Sequence, residues 1–345
     1  MTENEKIVKT TTAALKLARK PFNPNKTTYG EYEAIYMAPT GNVKDAMAPF
    51  KNAKRVLAVG GIGAFGFEAA INDAEKVDMF DCNELQRCFF ELVRTAMKML
   101  DYDDFMLYFT LKTQNPMMTC YDFRNLLSPE MFMRLEDFLP YDVRFMYGML
   151  YDNFEAIDLI YSALYRYCHA MYREYLTRFA SMYDREKYYK LQATLRNNSC
   201  DVTYTKVSLI DLPKRFEGPY NLIVLGNILQ YYDTIPGLSS AYDVNKFIKK
   251  ELSKLLAPDG TIQVNYGFEI ATQCLKMHLG IPYPKNQFNI TPMGRMILKA
   301  KMKTDINVAL VKKGGYDYTF FEGVETFEGH SAENCILTYT PSKQK

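Results

Sequence analysis

The chain has 345 residues, 48% of them apolar, with 42 lysines and arginines against 40 acids and a formal net charge of +2. Apolar content this high excludes an intrinsically disordered chain, and the near-balance of charge lacks the basic excess that marks a nucleic-acid binder. No apolar run approaches the roughly 18–20 residues of a membrane-spanning helix, and the seven cysteines are odd in number with no CxxC pair, so reduced thiols in a cytoplasmic protein are expected.

Residues 1–20 read as a polar arm leading into a short basic amphipathic helix, "AALKLARK", which "PFNPNK" interrupts. Such a helix suits peripheral contact with anionic lipid or packing at the N-terminus. "RVLAV" (55–59) is a continuous apolar run, as in a parallel strand covered on both faces. "KVDMFD" (76–81) is a second strand ending in an acid, followed by a helix through "ELQRCFFELVRTAMKML". Residues 102–200 carry helical signals almost throughout. There, Tyr161, Tyr165, Tyr172 and Tyr175 recur at helical spacing, which predicts one tyrosine-lined helical face. "VTYTKVSLID" (202–211), "YNLIVLGN" (220–227) and "GTIQVNY" (260–266) return to strand character. "DVNKFIKKELSKLLAPDG" between them predicts a helix stopped by Pro258 and Gly260. "INVALVKK" and "CILTYTP" are expected as a closing strand pair. The alternation predicts an α/β fold with a doubly wound, mostly parallel sheet. Cys274 and His278 have i,i+4 spacing but no companion ligands, so no metal site is expected.

Gly61, Gly63 and Gly66 after the first strand satisfy GxGxxG, and Asp81 ends the second. Glycines let the backbone approach a ligand closely, and an acid at that strand end accepts hydrogen bonds from ribose hydroxyls. The triplet alone leaves NAD and S-adenosylmethionine open. "LSKLLAPDGTIQV" resembles the segment before the fifth strand of class I methyltransferase-like folds, and "VSLIDLPKRFEGPYNLIVLGNILQYYD" matches their middle section in spacing. That resemblance favours S-adenosylmethionine and implies that Asp211 contacts the adenine. Residues 55–59 depart from it in lacking the usual acid before the glycine loop.

A narrower resemblance runs through "YGEYEAIYMAPTGNVKDAMAPFKNAKRVLAVGGIGAFGFEAA", "VDMFDCNELQ" and "MLDYDDFMLYF". These are similar to the bacterial betaine-lipid synthase family, S-adenosylmethionine:diacylglycerol 3-amino-3-carboxypropyltransferases and their uncharacterised relatives. "LGNILQYYD" (225–233) resembles that family's segment after the fourth strand, with Gly226 where serine is usual. The resemblance implies a class I S-adenosylmethionine-dependent methyltransferase-type fold with a large helical insertion. It implies a cofactor site of Gly60, Gly61, Gly63, Asp81, Asn83, Gln86, Asp211, Asn227, Tyr29 and Tyr36. Asp233 is the expected general base, with Tyr232 and Asn227 as its catalytic neighbours. The implied reaction moves the 3-amino-3-carboxypropyl group to a hydroxyl of a lipid or small molecule. A methyltransferase and a non-catalytic S-adenosylmethionine-binding protein are the alternatives. The expected organisation is an N-terminal arm (1–50), a cofactor domain (51–101 and 201–345) and a helical insertion (102–200) acting as cap and substrate wall. No nucleic-acid partner is expected, and the site of action is cytoplasmic, extending to the inner membrane face.

Overall fold

The computed structural model describes residues 2–22, 29–39, 41–112, 125–166, 171–266, 275–276, 278–280, 306–322 and 333–344. In chain order they form α1 (Glu3–Ala18), β1 (Ile35–Tyr36), α2 (Val43–Met47), β2 (Arg55–Val59), α3 (Ala64–Ile71), β3 (Lys76–Asp81) and α4 (Glu84–Met99). There follow α5 (Tyr102–Phe109), α6 (Pro129–Met133), α7 (Tyr141–Asn153), α8 (Ala156–Tyr161), β4 (Tyr165–Arg166), α9 (Arg173–Phe179), α10 (Arg185–Arg196) and β5 (Asp201–Lys206). The remainder are α11 (Leu212–Arg215), β6 (Tyr220–Val224), α12 (Ala241–Lys250), β7 (Leu256–Tyr266), α13 (Ile306–Gly314), β8 (Asp317–Glu322) and β9 (Glu333–Tyr339). The chain divides into two compact units, Met1–Pro39 with Gly60–Ser208, and Thr40–Val59 with Leu209–Lys345.

In the first unit β3 and β5 pair in parallel, in unbroken register from Lys76↔Asp201 to Asp81↔Lys206. The expected helix after β3 is α4, which starts where the Asn83 side chain accepts the Leu85 N–H at 3.1 Å. Its apolar positions, including Leu85, Phe89, Phe90, Val93 and Met97, are buried. Helix α1 begins ten residues before the expected "AALKLARK", capped by Thr2, which accepts the Glu5 N–H while Glu5 reaches back to the Thr2 N–H. It packs on α7 and α4 through Ile7, Ala14, Leu17 and Ala18.

The insertion is largely helical, as expected, and its aromatic side chains build a core. Phe105 lies 4.9 Å from Phe109 and 5.0 Å from Tyr188, and Phe89 of α4 meets Phe109 and Tyr165 at about 6 Å. Burying each such ring contributes roughly 1.5–3 kcal/mol. The expected single tyrosine face does not form. Tyr161 ends α8, Tyr165 lies in β4, and Tyr172 caps α9. Backbone pairing of β4 with β1 takes the place of helix there, and it sets Tyr165 against Phe89. Helix α7 and β4 reach the first half of α4, which follows the carboxyl end of β3. Helix α10 instead holds its far end, where Tyr188 and Gln192 donate to the Leu100 carbonyl at 3.0 and 2.6 Å.

The second unit contains a sheet in the order β2-β6-β7-β9-β8. β2, β6 and β7 run parallel, and β9 enters antiparallel between β7 and β8. The buried Gln263 of β7 donates to the Ala46 carbonyl at 3.0 Å, tying α2 to the sheet. Three expectations are corrected here. "INVALVKK" is helix α13, with Val308 and Leu310 buried, and the strand partner of β9 is β8, "DYTFFE". The helix expected through residue 257 ends at Lys250, and β7 starts at Leu256, passing through both Pro258 and Gly260. The strand expected to Asp211 stops at Lys206, since Leu209–Asp211 turn into a 3₁₀ segment leading to α11, which has a proline in its first turn. Cys274 lies outside the described residues. Among those described, no helix is long and apolar enough to cross a membrane.

Candidate functional site

The loop after β2 is built on two closed glycines and one open one. Gly63 has φ +90° and precedes α3, and a Cβ there would stand 2.7 Å from Phe67 and 2.8 Å from Phe90. Gly63→Ala is expected to cost about 2–4 kcal/mol, from left-handed strain plus overpacking, read as a lower denaturation midpoint with an unchanged slope. At Gly60 a Cβ would meet the Tyr204 hydroxyl at 2.3 Å, so this backbone must lie directly on that ring. At Gly61 no described atom comes within 4 Å of the equivalent position. The loop thus packs inward at Gly60 and Gly63 and leaves an open face at Gly61.

Asp81 stands at the carboxyl end of β3 beside this loop. Its Oδ1 accepts the Asn83 N–H at 3.0 Å, and the N–H groups of Gly61 and Cys82 also point to the carboxylate. Dense enclosure raises its carboxyl above the ordinary range, and those three N–H groups oppose the rise without cancelling it. Tyr29 joins the cluster. Its hydroxyl lies 3.3 Å from Ser208 Oγ, and burial pushes the phenol up to about 12. Burial and the neighbouring Asp81 charge likewise push the Cys82 thiol up to about 12. Gly60, Gly61, Gly63, Asp81 and Tyr29 are therefore brought together.

The side-chain amides of Asn83 and Gln86 hold backbone. The Asn83 amide accepts from the Leu85 and Glu33 N–H groups and donates to the Glu33 and Ala34 carbonyls, at 3.0–3.3 Å. The buried Gln86 holds the Tyr36 backbone from both sides, accepting its N–H at 2.8 Å and donating to its carbonyl at 3.2 Å. These amides fasten the segment carrying Tyr29 and Tyr36 to the start of α4.

Sequence reasoning missed Tyr204 and Lys206 of β5, whose register opposite Met79 and Asp81 carries them to this end of the sheet. Strand register is not visible in a single run of residues, so no signal marked them. The Tyr204 hydroxyl is buried with no hydrogen-bond partner among the described residues, and its ring stacks on Phe90 at 4.9 Å. Removing that unsatisfied oxygen in Tyr204→Phe is expected to stabilise the protein by about 1 kcal/mol in chemical denaturation.

Glu84, Cys88 and Asp142 also converge, within 4.8 Å of one another. The cation among them is Arg87, 2.8 Å from Glu84, 3.6 Å from the Cys88 sulfur and paired with Asp142, with Lys6 adding a second charge 3.3 Å from Glu84. This cluster is an ion-pair node that ties α1, α4 and α7 together.

The second unit holds the other predicted residues. Asp211 opens α11 and pairs with Lys214 at 2.8 Å. Asn227 directly precedes a 3₁₀ segment, Ile228–Thr234, that carries Tyr232 and Asp233. Tyr232 is half-buried and Asp233 is exposed.

A parallel pair ending in an acid after a glycine loop, and a last strand inserted antiparallel beside the parallel ones, define an α/β fold of the class I methyltransferase type. No protein-family model matches the chain, and no curated protein does. Solved structures with some similarity include the N-methyltransferase NodS of Bradyrhizobium japonicum WM9 in complex with S-adenosyl-L-homocysteine, at 8% identity and a TM-score of 0.31, covering 86% of this chain and 82% of that one. The methyltransferase domain of bacterial CtHen1 follows at 13% and 0.33, covering 86% and 97%, and cofactor-bound Rv0187 from MTB at 9% and 0.32, covering 96% and 88%. Likeness at this level carries no weight beside the strand order itself.

Proposed function

We propose that this chain is an S-adenosylmethionine-dependent transferase that moves the 3-amino-3-carboxypropyl group to a hydroxyl of a lipid or small molecule. The observation that carries the cofactor reading is the pairing of Asp81 with the open face at Gly61. A carboxylate at that position accepts hydrogen bonds from vicinal ribose hydroxyls, and the bare backbone admits a ligand that a side chain would block. The residues present fit the group: Asp81 for the ribose, the Gly60–Gly63 backbone for close approach, and Tyr29 beside them. Asp211 is assigned to the adenine, and Asn227 to the amino-acid end of the cofactor or to the acceptor hydroxyl.

The sulfonium supplies a carbon already bonded to a good leaving group, so the protein's task is to orient the acceptor and take its proton. Asp233 is assigned that proton, with Tyr232 positioning the acceptor beside it. Bound there, the cofactor would supply its γ-carbon to the acceptor oxygen, with 5′-methylthioadenosine as the leaving group that keeps the electron pair of the carbon–sulfur bond. The aminocarboxypropyl reading rests on the sequence resemblance to betaine-lipid synthases. The methyltransferase reading is favoured by the strand order, which is that of methyltransferases. Incubation with S-adenosylmethionine and hydroxyl acceptors separates them by product. 5′-Methylthioadenosine supports the first, S-adenosylhomocysteine the second, and neither leaves a binding protein.

A further inference from the structure

The segment leading into β1 is fastened in two very different ways. From Glu33 onward it is pinned by Asn83, by Gln86 and by the β1–β4 ladder, all largely buried. Before Glu33 the side-chain ion pairs are partly exposed, beside the half-buried Tyr29–Ser208 contact. Glu31 pairs with Lys206 at 2.5 Å and with Lys9 at 3.6 Å, and the Tyr32 ring lies under both ammonium groups, at 5.0 and 5.7 Å. The Glu31 carbonyl accepts the Glu84 N–H at 2.8 Å, at the open start of α4. Beside this stretch lies Cys82, whose thiol points to the Gly30 carbonyl at 3.7 Å, next to Asp81 at the end of β3.

We propose that Tyr29–Tyr32 is a hinged arm, pivoting at Glu33, that the Glu31–Lys206 clasp closes over the Asp81–Cys82 end of β3 and that opens to admit the cofactor. The proposal rests on the cofactor site assigned above and adds its regulation. Lys206 sits opposite Asp81 in the strand register, so the clasp is anchored at the site's own edge. Exposed ion pairs are individually weak and screened by salt, which suits a latch that must release often. The buried pins at Asn83 and Gln86 keep the arm from detaching when it does.

Cys82 reports the arm without any ligand. Its alkylation by iodoacetamide, followed at the Cys82 peptide by mass spectrometry, measures how often the arm is open. Glu31→Gln and Lys206→Met are each expected to raise that rate about three- to fivefold, the scale of one exposed ion pair. The double variant should be no faster than Glu31→Gln alone, since that change already breaks both of Glu31's ion pairs. Raising salt from about 0.05 to 0.5 M should speed the wild-type protein and leave Glu31→Gln nearly unchanged. Cys82 labelling at the wild-type rate in both variants, with no response to salt, overturns the arm. S-adenosylmethionine or S-adenosylhomocysteine should slow labelling in every form. Faster labelling in the variants with no protection by either nucleoside keeps the hinged arm and rejects the cofactor site beneath it.

Discussion

Asp81→Asn is expected to weaken S-adenosylmethionine binding by about ten- to a hundredfold, the loss of charge-assisted hydrogen bonds worth roughly 1.5–3 kcal/mol. Isothermal titration calorimetry reads this directly, and unchanged affinity would remove Asp81 from the site. The same carboxyl sets a pH dependence. Burial raises its folded-state value, and the ionised form is the one that accepts ribose hydroxyls. Affinity should therefore be full above that raised value and fall as pH drops through it, at higher pH than an ordinary aspartate would give. Stability without ligand runs the other way. The folded state holds this proton more tightly than the unfolded chain does, so the contribution is complete below the unfolded value of about 3.9 and is lost as pH rises through the folded one. Asp81→Asn should flatten both profiles, because an amide does not titrate in this range.

The second large effect is expected at Asp233. If it takes the acceptor's proton, Asp233→Asn should cut turnover by about 10²–10⁴ while leaving cofactor affinity within a few-fold. Single-turnover assays that follow 5′-methylthioadenosine separate the chemical step from binding. Full activity in this variant would end the base assignment. S-adenosylhomocysteine as the only nucleoside product would move the reaction to methyl transfer, and Asp233 would then be judged on that reaction.

The elements that position the candidate site were legible because local and tertiary demands agree there. "RVLAV" and "KVDMFD" are short apolar runs bounded by turn signals, and both are strands. Asn83 caps α4 because its side chain reaches the free N–H groups of that helix, a preference written in the residue type. "INVALVKK" failed for the opposite reason. Its β-branched residues fit a strand in a short window, but packing against α12 makes it a helix and leaves the sheet edge to "DYTFFE". The glycine loop was legible as a loop, yet which glycine faces outward depends on Tyr204, Phe67 and Phe90, brought in from other elements. Likewise Asn83 and Gln86 stood out by residue type. Only their partners at Glu33, Ala34 and Tyr36 show that they hold a backbone segment.

The place of β9 bears on how the chain is made. Residues 333–339 are the latest strand among the described residues, yet they have a neighbour on each side, β7 and β8. β2 pairs with β6, more than 160 residues later. During synthesis β2 must wait for β6, whereas β3, α4, the insertion and β5 of the first unit have all emerged by residue 206. A nascent chain halted before residue 333 would hold the glycine loop and Asp81 intact while β7 shows a bare edge, the kind of edge that chaperones shield and other chains pair with. Ribosome-bound chains of increasing length should then become protease-resistant in two steps, the first unit well before the second.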